Sequence, residues 1–264
     1  MSIINFLKSI FGSTENEGTN KKSGVESQHS QINNAKKLHE EGKYLKAFEI
    51  LEKNIENIQN DADALLIMGI IYGHGQGIKK DEKKAISFFT KSAELGQTTA
   101  MYNAGLAYLK GIGTEVNYDK GMEWITKAAE TGDETSTMLL AGQYFGKGDY
   151  KKALNLYGNL AKSENTEAMY EIAVMHLHGK GCPKNDKNAF DWFQKIVNIN
   201  KPLTTISLEP TRKASFAIGL MYYNGATGVP KDHSKAIAFL KMAHKLGDDN
   251  ATSSLRKLGI SLID

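Results

Sequence analysis

Nine positions of this chain recur in kind at one fixed distance. Gly69, Tyr72, Gly75, Gly77, Ala85, Phe88, Lys91, Ala93 and Gly96 are followed 36 residues later by Gly105, Tyr108, Gly111, Gly113, Gly121, Trp124, Lys127, Ala129 and Gly132. A period of that size is the mark of a stacked helical repeat. One such unit cannot bury its apolar face alone, so neighbours must stack and the core runs along the array. The product is a long binding surface rather than an enclosed catalytic pocket.

The period persists beyond this pair. Tyr108 is followed by Tyr144 at the same spacing, and Ala100-Met101-Tyr102 returns as Ala168-Met169-Tyr170 after 68 residues, two units less four. The missing four fall in the third loop, where Gly146-Lys147-Gly148-Asp149 makes a short turn. A last copy starts at Ala214, with Gly219, Tyr222, Gly225 and Gly228 in step. The unit before it is about ten residues longer, and the surplus is best placed at 197–211 as an insertion.

Each unit reads as a helical hairpin. The first helix carries a small residue (Gly69, Gly105, Ala141, Ala173 or Gly219) three positions before a ring (Tyr72, Tyr108, Tyr144, His176 or Tyr222). Small side chains allow close helix approach while the ring fills the space beside them. After a glycine-bearing loop come Asp81, Asn117, Asp149, Asn185 and Asp232, residue types suited to capping the second helix. Four residues on stand Ala85, Gly121, Ala153, Ala189 and Ala236, and then bulky pairs such as Phe88-Phe89 and Trp192-Phe193. Cap, small and bulky residues recurring at helical spacing fix the class as all-α.

The flanks read differently. Residues 31–60, with Ala35, Leu38, Gly42, Tyr44, Ala47 and Leu51, follow a related shorter pattern, a tetratricopeptide-like capping hairpin before the array at 61–251. Residues 252–264 are expected to close the array, with Leu255 and Leu258 turned inward. Ile3, Ile4, Phe6, Leu7, Ile10 and Phe11 make residues 1–11 an amphipathic segment, suited to weak contact with a membrane surface. Residues 12–30, rich in Gly, Ser, Thr, Asn, Gln, Glu and Lys, have the composition of a flexible linker.

With 33 basic against 30 acidic residues the net charge is only +3, which argues against nucleic-acid binding driven by bulk charge. Cys182 is the sole cysteine, so no internal disulfide framework exists, and a reducing, cytoplasmic location is expected.

The string Ala100-Met-Tyr-Asn-Ala-Gly-Leu-Ala-Tyr-Leu-Lys-Gly-Ile-Gly, with Lys120-Gly121, Trp124, Lys127-Ala128-Ala129 and Gly132, closely resembles the SEL-one-like repeat over about 61–251. That family is a subclass of the tetratricopeptide-like solenoids. The resemblance implies a right-handed α/α solenoid of about six hairpins that binds other proteins: adaptors in quality control and signalling, and immunity proteins that neutralise toxins. It carries no shared catalytic residues. The third unit departs by its short loop and the fourth by His176 and its insertion.

Candidate chemistry is sparse. The run Gly73-His74-Gly75-Gln76-Gly77 has no preceding strand and no following Lys-Ser or Lys-Thr, so it is a turn and not a phosphate cradle. His176 and His178, two apart, point to opposite sides of a helix and cannot share a metal. Cys182 has no acid–base partner assignable from the sequence. No catalytic, cofactor or metal residue is nominated, and the chain is read as a non-enzyme.

In such solenoids the first helices line the concave face. Positions three before and four after each small residue are expected to point there, away from the hairpin partner. They are Leu66 and Gly73, Tyr102 and Leu109, Met138 and Phe145, Tyr170 and Leu177, Phe216 and Tyr223. Aromatic and Met side chains are favoured interface anchors. Lys79, Lys80, Lys110, Lys147, Lys180, Lys184 and Lys231 line a loop edge, separate from the aromatics, able to steer an acidic partner. The expected role is a protein-binding scaffold, either a bacterial cytosolic adaptor or an immunity protein blocking a toxin. The alternative is a peripheral membrane organiser using residues 1–11.

Overall fold

Thirteen helices are described in the computed structural model of the chain, which covers residues 17–199 and 208–262. Among these residues the one β-bridge joins Ala226 to Val229 within a loop. Two compact units divide the chain, 1–131 and 132–264.

The first unit holds three hairpins: α1 (Glu17–Glu40) with α2 (Tyr44–Lys53), α3 (Ala62–His74) with α4 (Glu82–Glu94), and α5 (Thr98–Lys110) with α6 (Tyr118–Glu130). The capping hairpin closes on Ile32, Ala35, Ala47, Phe48 and Leu51, which join Leu65, Met68 and Ile71 of α3 in one core. In the next hairpins the small residues set the approach. A methyl group on Gly69 would stand 2.5 Å from the Phe89 ring, and one on Gly105 would stand 2.7 Å from Ile125. The second helix thus presses its bulky pair into the space that glycine leaves on the first.

The loops lock one hairpin to the one before it. Gly113 sits at φ +70°, and a Cβ there would lie 2.1 Å from the Glu82 carbonyl oxygen at the start of α4. Only glycine permits both that conformation and that backbone approach.

Helix α1 begins at Glu17, so residues 17–30, expected as linker, are helical. The run contains no proline, and a helix nucleated by the packed residues 31–40 gains one hydrogen bond for each residue added. The apolar segment 1–11 and residues 12–16 lie outside the described residues.

The second unit runs through α7 (Glu134–Gly146), α8 (Tyr150–Lys162), α9 (Thr166–His178), α10 (Asp186–Val197), α11 (Leu208–Asn224), α12 (His233–Lys245) and α13 (Asp249–Lys257). One core links Ala141, Tyr157, Leu160, Met169, Ala173, Phe193, Ile218 and Tyr222. Of the insertion expected at 197–211, Val197 ends α10 and residues 208–211 form the first turn of α11, where Pro210 is tolerated because its missing N–H has no intrahelical partner. Residues 200–207 lie outside those described. Helix α13 closes the unit, with Leu255 buried and Leu258 half-buried against Leu240 and Ala243. Asp248 fastens this end: it accepts from the Ala251 amide and receives Arg212 of α11.

Four of the five expected caps accept from the amide three residues on: Asp81 from Lys84, Asn117 from Lys120, Asn185 from Asn188 and Asp232 from Lys235. Asp149 does not. The shortened loop delivers it at ψ 61° instead of the extended value near the other caps, and its carboxylate pairs with Lys152 at 2.9 Å instead.

Candidate partner-binding face

A helix turns by about 100° per residue, so the direction of the small residue fixes all the others. The small residue points at the second helix of its own hairpin, as Gly69 on Phe89, Gly105 on Ile125 and Gly219 on Leu240 show. The next residue stands about 100° round from it and the one five on about 140°. Residues five on are His74, Lys110, Gly146, His178 and Asn224, all exposed. Residues one on are Ile70, Leu106, Gly142, Val174 and Leu220, of which Gly142 is exposed and the others half-buried. This is the accessible face of the first helices.

The expected positions, three before and four after, lie only about 60° and 40° from the small residue. They therefore occupy the flank of that face, and several turn toward the hairpin partner. Leu109 packs on Gly121 of α6, its Cγ 2.7 Å from where a Cβ would stand. Gly73 faces Ala85 of α4. Phe145 meets the edge of Tyr150 of α8 at 5.2 Å, and Tyr223 meets His233 of α12 at 5.3 Å. The assignment of Gly73, Leu109, Phe145 and Tyr223 away from the partner is thus corrected, because residues four apart share a helix face.

In the first unit, Leu66 packs on the core around Ile86 and Met101, while Tyr102 is half-buried. Between them Ile70, Asn103 and Leu106 line a cleft of about 280 Å³ floored by Ala85, Ile86 and Phe89, with His74, Lys80 and Glu82 at its rim. In the second unit Met138, Tyr170 and Leu177 lie half-buried against the main core, and Tyr170 tilts onto Phe193 at 5.5 Å. Phe216 packs against the core of Leu240 and Leu255. Sequence reasoning missed Ile70, Leu106, Val174 and Leu220. Their signal was present, since each immediately follows the small residue.

Lysines and aromatics are not segregated as expected. Lys84, Lys120, Lys152 and Lys235, each three residues past a capping position, lie 4.8, 4.3, 5.0 and 5.4 Å over Tyr72, Tyr108, Tyr144 and Tyr222. A cation over a ring face is held by the ring quadrupole, so these lysines tie the second helix to the first. Lys180, assigned to the loop edge, covers Phe145 at 4.5 Å, while Lys80 and Lys184 pair with Glu82 and Asp186.

The fourth repeat replaces both members of this pair, with His176 for tyrosine and Asn188 for lysine. Cys182 lies 3.3 Å from His176 Nδ1, a partner that spacing alone did not reveal. Burial pushes the thiol up and the imidazole down from their ordinary values, which favours the neutral pair. An activated nucleophile needs the opposite shift of the thiol. No group of three or more His, Cys, Asp or Glu able to hold a metal occurs among the described residues. None of the described helices is long and apolar enough to cross a membrane.

Glu171 stands apart from this pattern. It is half-buried on α9, and desolvation raises its carboxyl above the usual range.

The Sel1 repeat family profile matches residues 62–97, 98–133, 136–163, 166–198 and 212–248. The Sel1-repeat-containing protein YjcO of Escherichia coli strain K12 is 40% identical over 57 residues, 21% of this chain and 25% of YjcO. HRD3 of Candida glabrata, a component of an ERAD-associated E3 ubiquitin-protein ligase, is 29% identical over 92 residues, 34% of this chain and 11% of HRD3. The chain thus spans a quarter or less of these curated relatives. The crystal structure of a Sel1 repeat protein from Oxalobacter formigenes superposes with a TM-score of 0.66 at 26% identity, covering 85% of this chain and 88% of that one. Solenoids of this kind typically serve as protein–protein interaction scaffolds. With five matched repeats laid over α3 to α12, each on one hairpin, the chain belongs to the Sel1 repeat family of α/α solenoids.

Proposed function

We propose that this chain is a non-catalytic scaffold that takes a partner protein on the accessible faces of its first helices, α3 and α5 in one unit and α7, α9 and α11 in the other. One observation carries the reading: Ile70, Leu106, Val174 and Leu220 leave apolar side chains part-exposed at the same position of four repeats. Leu66, Tyr102, Met138, Tyr170 and Phe216 flank them, and Leu109, Phe145, Leu177 and Tyr223 supply the neighbouring edge toward the hairpin partner. Part-exposed aliphatic and aromatic groups on these helices of each unit, with polar residues outside them, have the composition of an interface core and rim.

Within this class we favour a bacterial cytosolic adaptor or an immunity protein that occludes a toxin. The similarity to Sel1 repeat proteins of Escherichia coli and Oxalobacter formigenes supports the bacterial part. HRD3, named as a component of a ligase, supports work within an assembly.

The test is capture of tagged full-length protein from its host with Leu106→Asp/Val174→Asp/Leu220→Asp alongside, after checking that helicity is kept. One dominant co-purifying protein, lost in the variant, is the expected result, and its identity separates immunity from adaptor work. Equal capture by both proteins would rule this face out.

A further inference from the structure

The position after the small residue holds Ile70, Leu106, Val174 and Leu220 in four repeats, but Gly142 in the third. Gly142 is exposed in the interior of α7, where glycine is destabilising relative to alanine. Nothing in the helix geometry requires it: Gly142 is absent from the glycines at positive φ, and the sister positions show that an aliphatic side chain is accepted. The missing side chain leaves a notch in the face.

What lies at the notch is polar and unpartnered. Tyr157 of α8, only 4% exposed, brings its hydroxyl to 4.0 Å from where a Gly142 Cβ would stand. That hydroxyl makes no hydrogen bond among the described residues and is not sealed from solvent. Glu171 and Glu167, one turn apart on α9, lie close enough to act on the same phenol, whose pKa burial and then these two carboxylates push up to about 12. Neither glutamate makes an ion pair or hydrogen bond among the described residues. Lys213 of α11, which acts on Glu171 without forming an ion pair with it, is engaged with Glu209 at 3.1 Å. Arg212 is likewise held by Glu209 and Asp248.

We infer that the Gly142 notch is a socket for a lysine or arginine side chain of the partner protein, paired with Glu171 and Glu167 and accepted by the Tyr157 hydroxyl. This rests on the reading of the first-helix face as the partner surface, and names the chemistry of one anchor on it. A cationic head supplies what the site lacks: donors for two unpaired carboxylates and for the phenol oxygen. Its aliphatic stem needs an apolar track, which part-exposed Met138 offers one turn before Gly142 on the same face of α7. An acidic anchor would meet two carboxylates of its own sign, and an aliphatic one would cover the Tyr157 hydroxyl and half-buried Glu171 without offering either a partner.

The experiment is an amide NMR titration of the full chain with Nα-acetyl-lysine amide and Nα-acetyl-arginine amide, using Nα-acetyl-norleucine amide as the uncharged control. Saturable shifts centred on Gly142, Tyr157 and Glu171 are expected with the two cations and not with the control. Glu171→Gln should weaken the response roughly tenfold. Gly142→Leu should abolish it while raising stability to urea, so loss of binding cannot be ascribed to unfolding. Equal shifts with norleucine amide, an unchanged response in Glu171→Gln, or no saturable shift at Gly142 would each overturn the inference. Those results would leave the face reading standing, because the titration probes the notch and the capture experiment probes the face.

Discussion

Glycine does opposite work at different places in this chain. Gly96 sits at φ +91° with nothing within 4 Å of a would-be Cβ, so Gly96→Ala meets only backbone strain, about 1–2 kcal/mol. Gly113 has the same strain and also the Glu82 carbonyl in its way. Gly113→Ala should therefore lower unfolding free energy by clearly more than Gly96→Ala, with about 3 kcal/mol expected, and paired urea melts decide it. Tyr157 offers a second test at this scale. Its pKa rises from 10.0 unfolded to about 12 folded, mainly through burial. The neutral phenol's contribution is complete below pH 10 and lost as pH climbs to about 12. Wild type should lose stability across that window relative to Tyr157→Phe, and parallel melts from pH 9 to about 12 should show the two curves diverging.

Capping sorts the second helices into two kinds. Asn117 accepts from Lys120 at 2.9 Å, so Asn117→Ala should cost about 1 kcal/mol. Asp149 makes no such bond and holds Lys152 in an exposed pair, so Asp149→Ala should destabilise clearly less than Asn117→Ala. Equal losses in denaturant melts would show that α8 is capped after all. The first helices are capped too, by Asp61, Gln97, Asp133 and Asn165, each on the amide three residues later. Two of these caps, Gln97 and Asp133, directly follow the Gly96 and Gly132 turns, so their signal is legible in the sequence.

A repeat array has ends, and an end must be covered. Helix α13 lays Ala251 and Leu255 over Leu240 and Ala243, and Asp248 ties it to Arg212. Deleting residues 249–264 exposes that apolar surface and leaves α12 as an uncapped terminus. The shortened protein should bind a hydrophobic dye, and the unfolding of its second unit should shift to lower denaturant. Unchanged dye binding and an unchanged transition would show that α12 suffices as the end.

The sequence by itself determined the all-α class, the hairpin count, the place of each loop and the identity of the small and bulky residues that meet. These are local facts: a period, a cap, a glycine where φ must be positive. Which residues remain accessible was decided only by the packing. Leu109 and Leu106 are three positions apart and equally apolar, but the small residue's direction sends one onto Gly121 and leaves the other on the open face. The pairing of His176 with Cys182, the lysines seated on tyrosines, and the approach of the Tyr157 hydroxyl to Gly142 join side chains from different turns and helices. A one-dimensional pattern records the kinds of those residues and their spacing, but not the angle at which neighbouring helices bring them together.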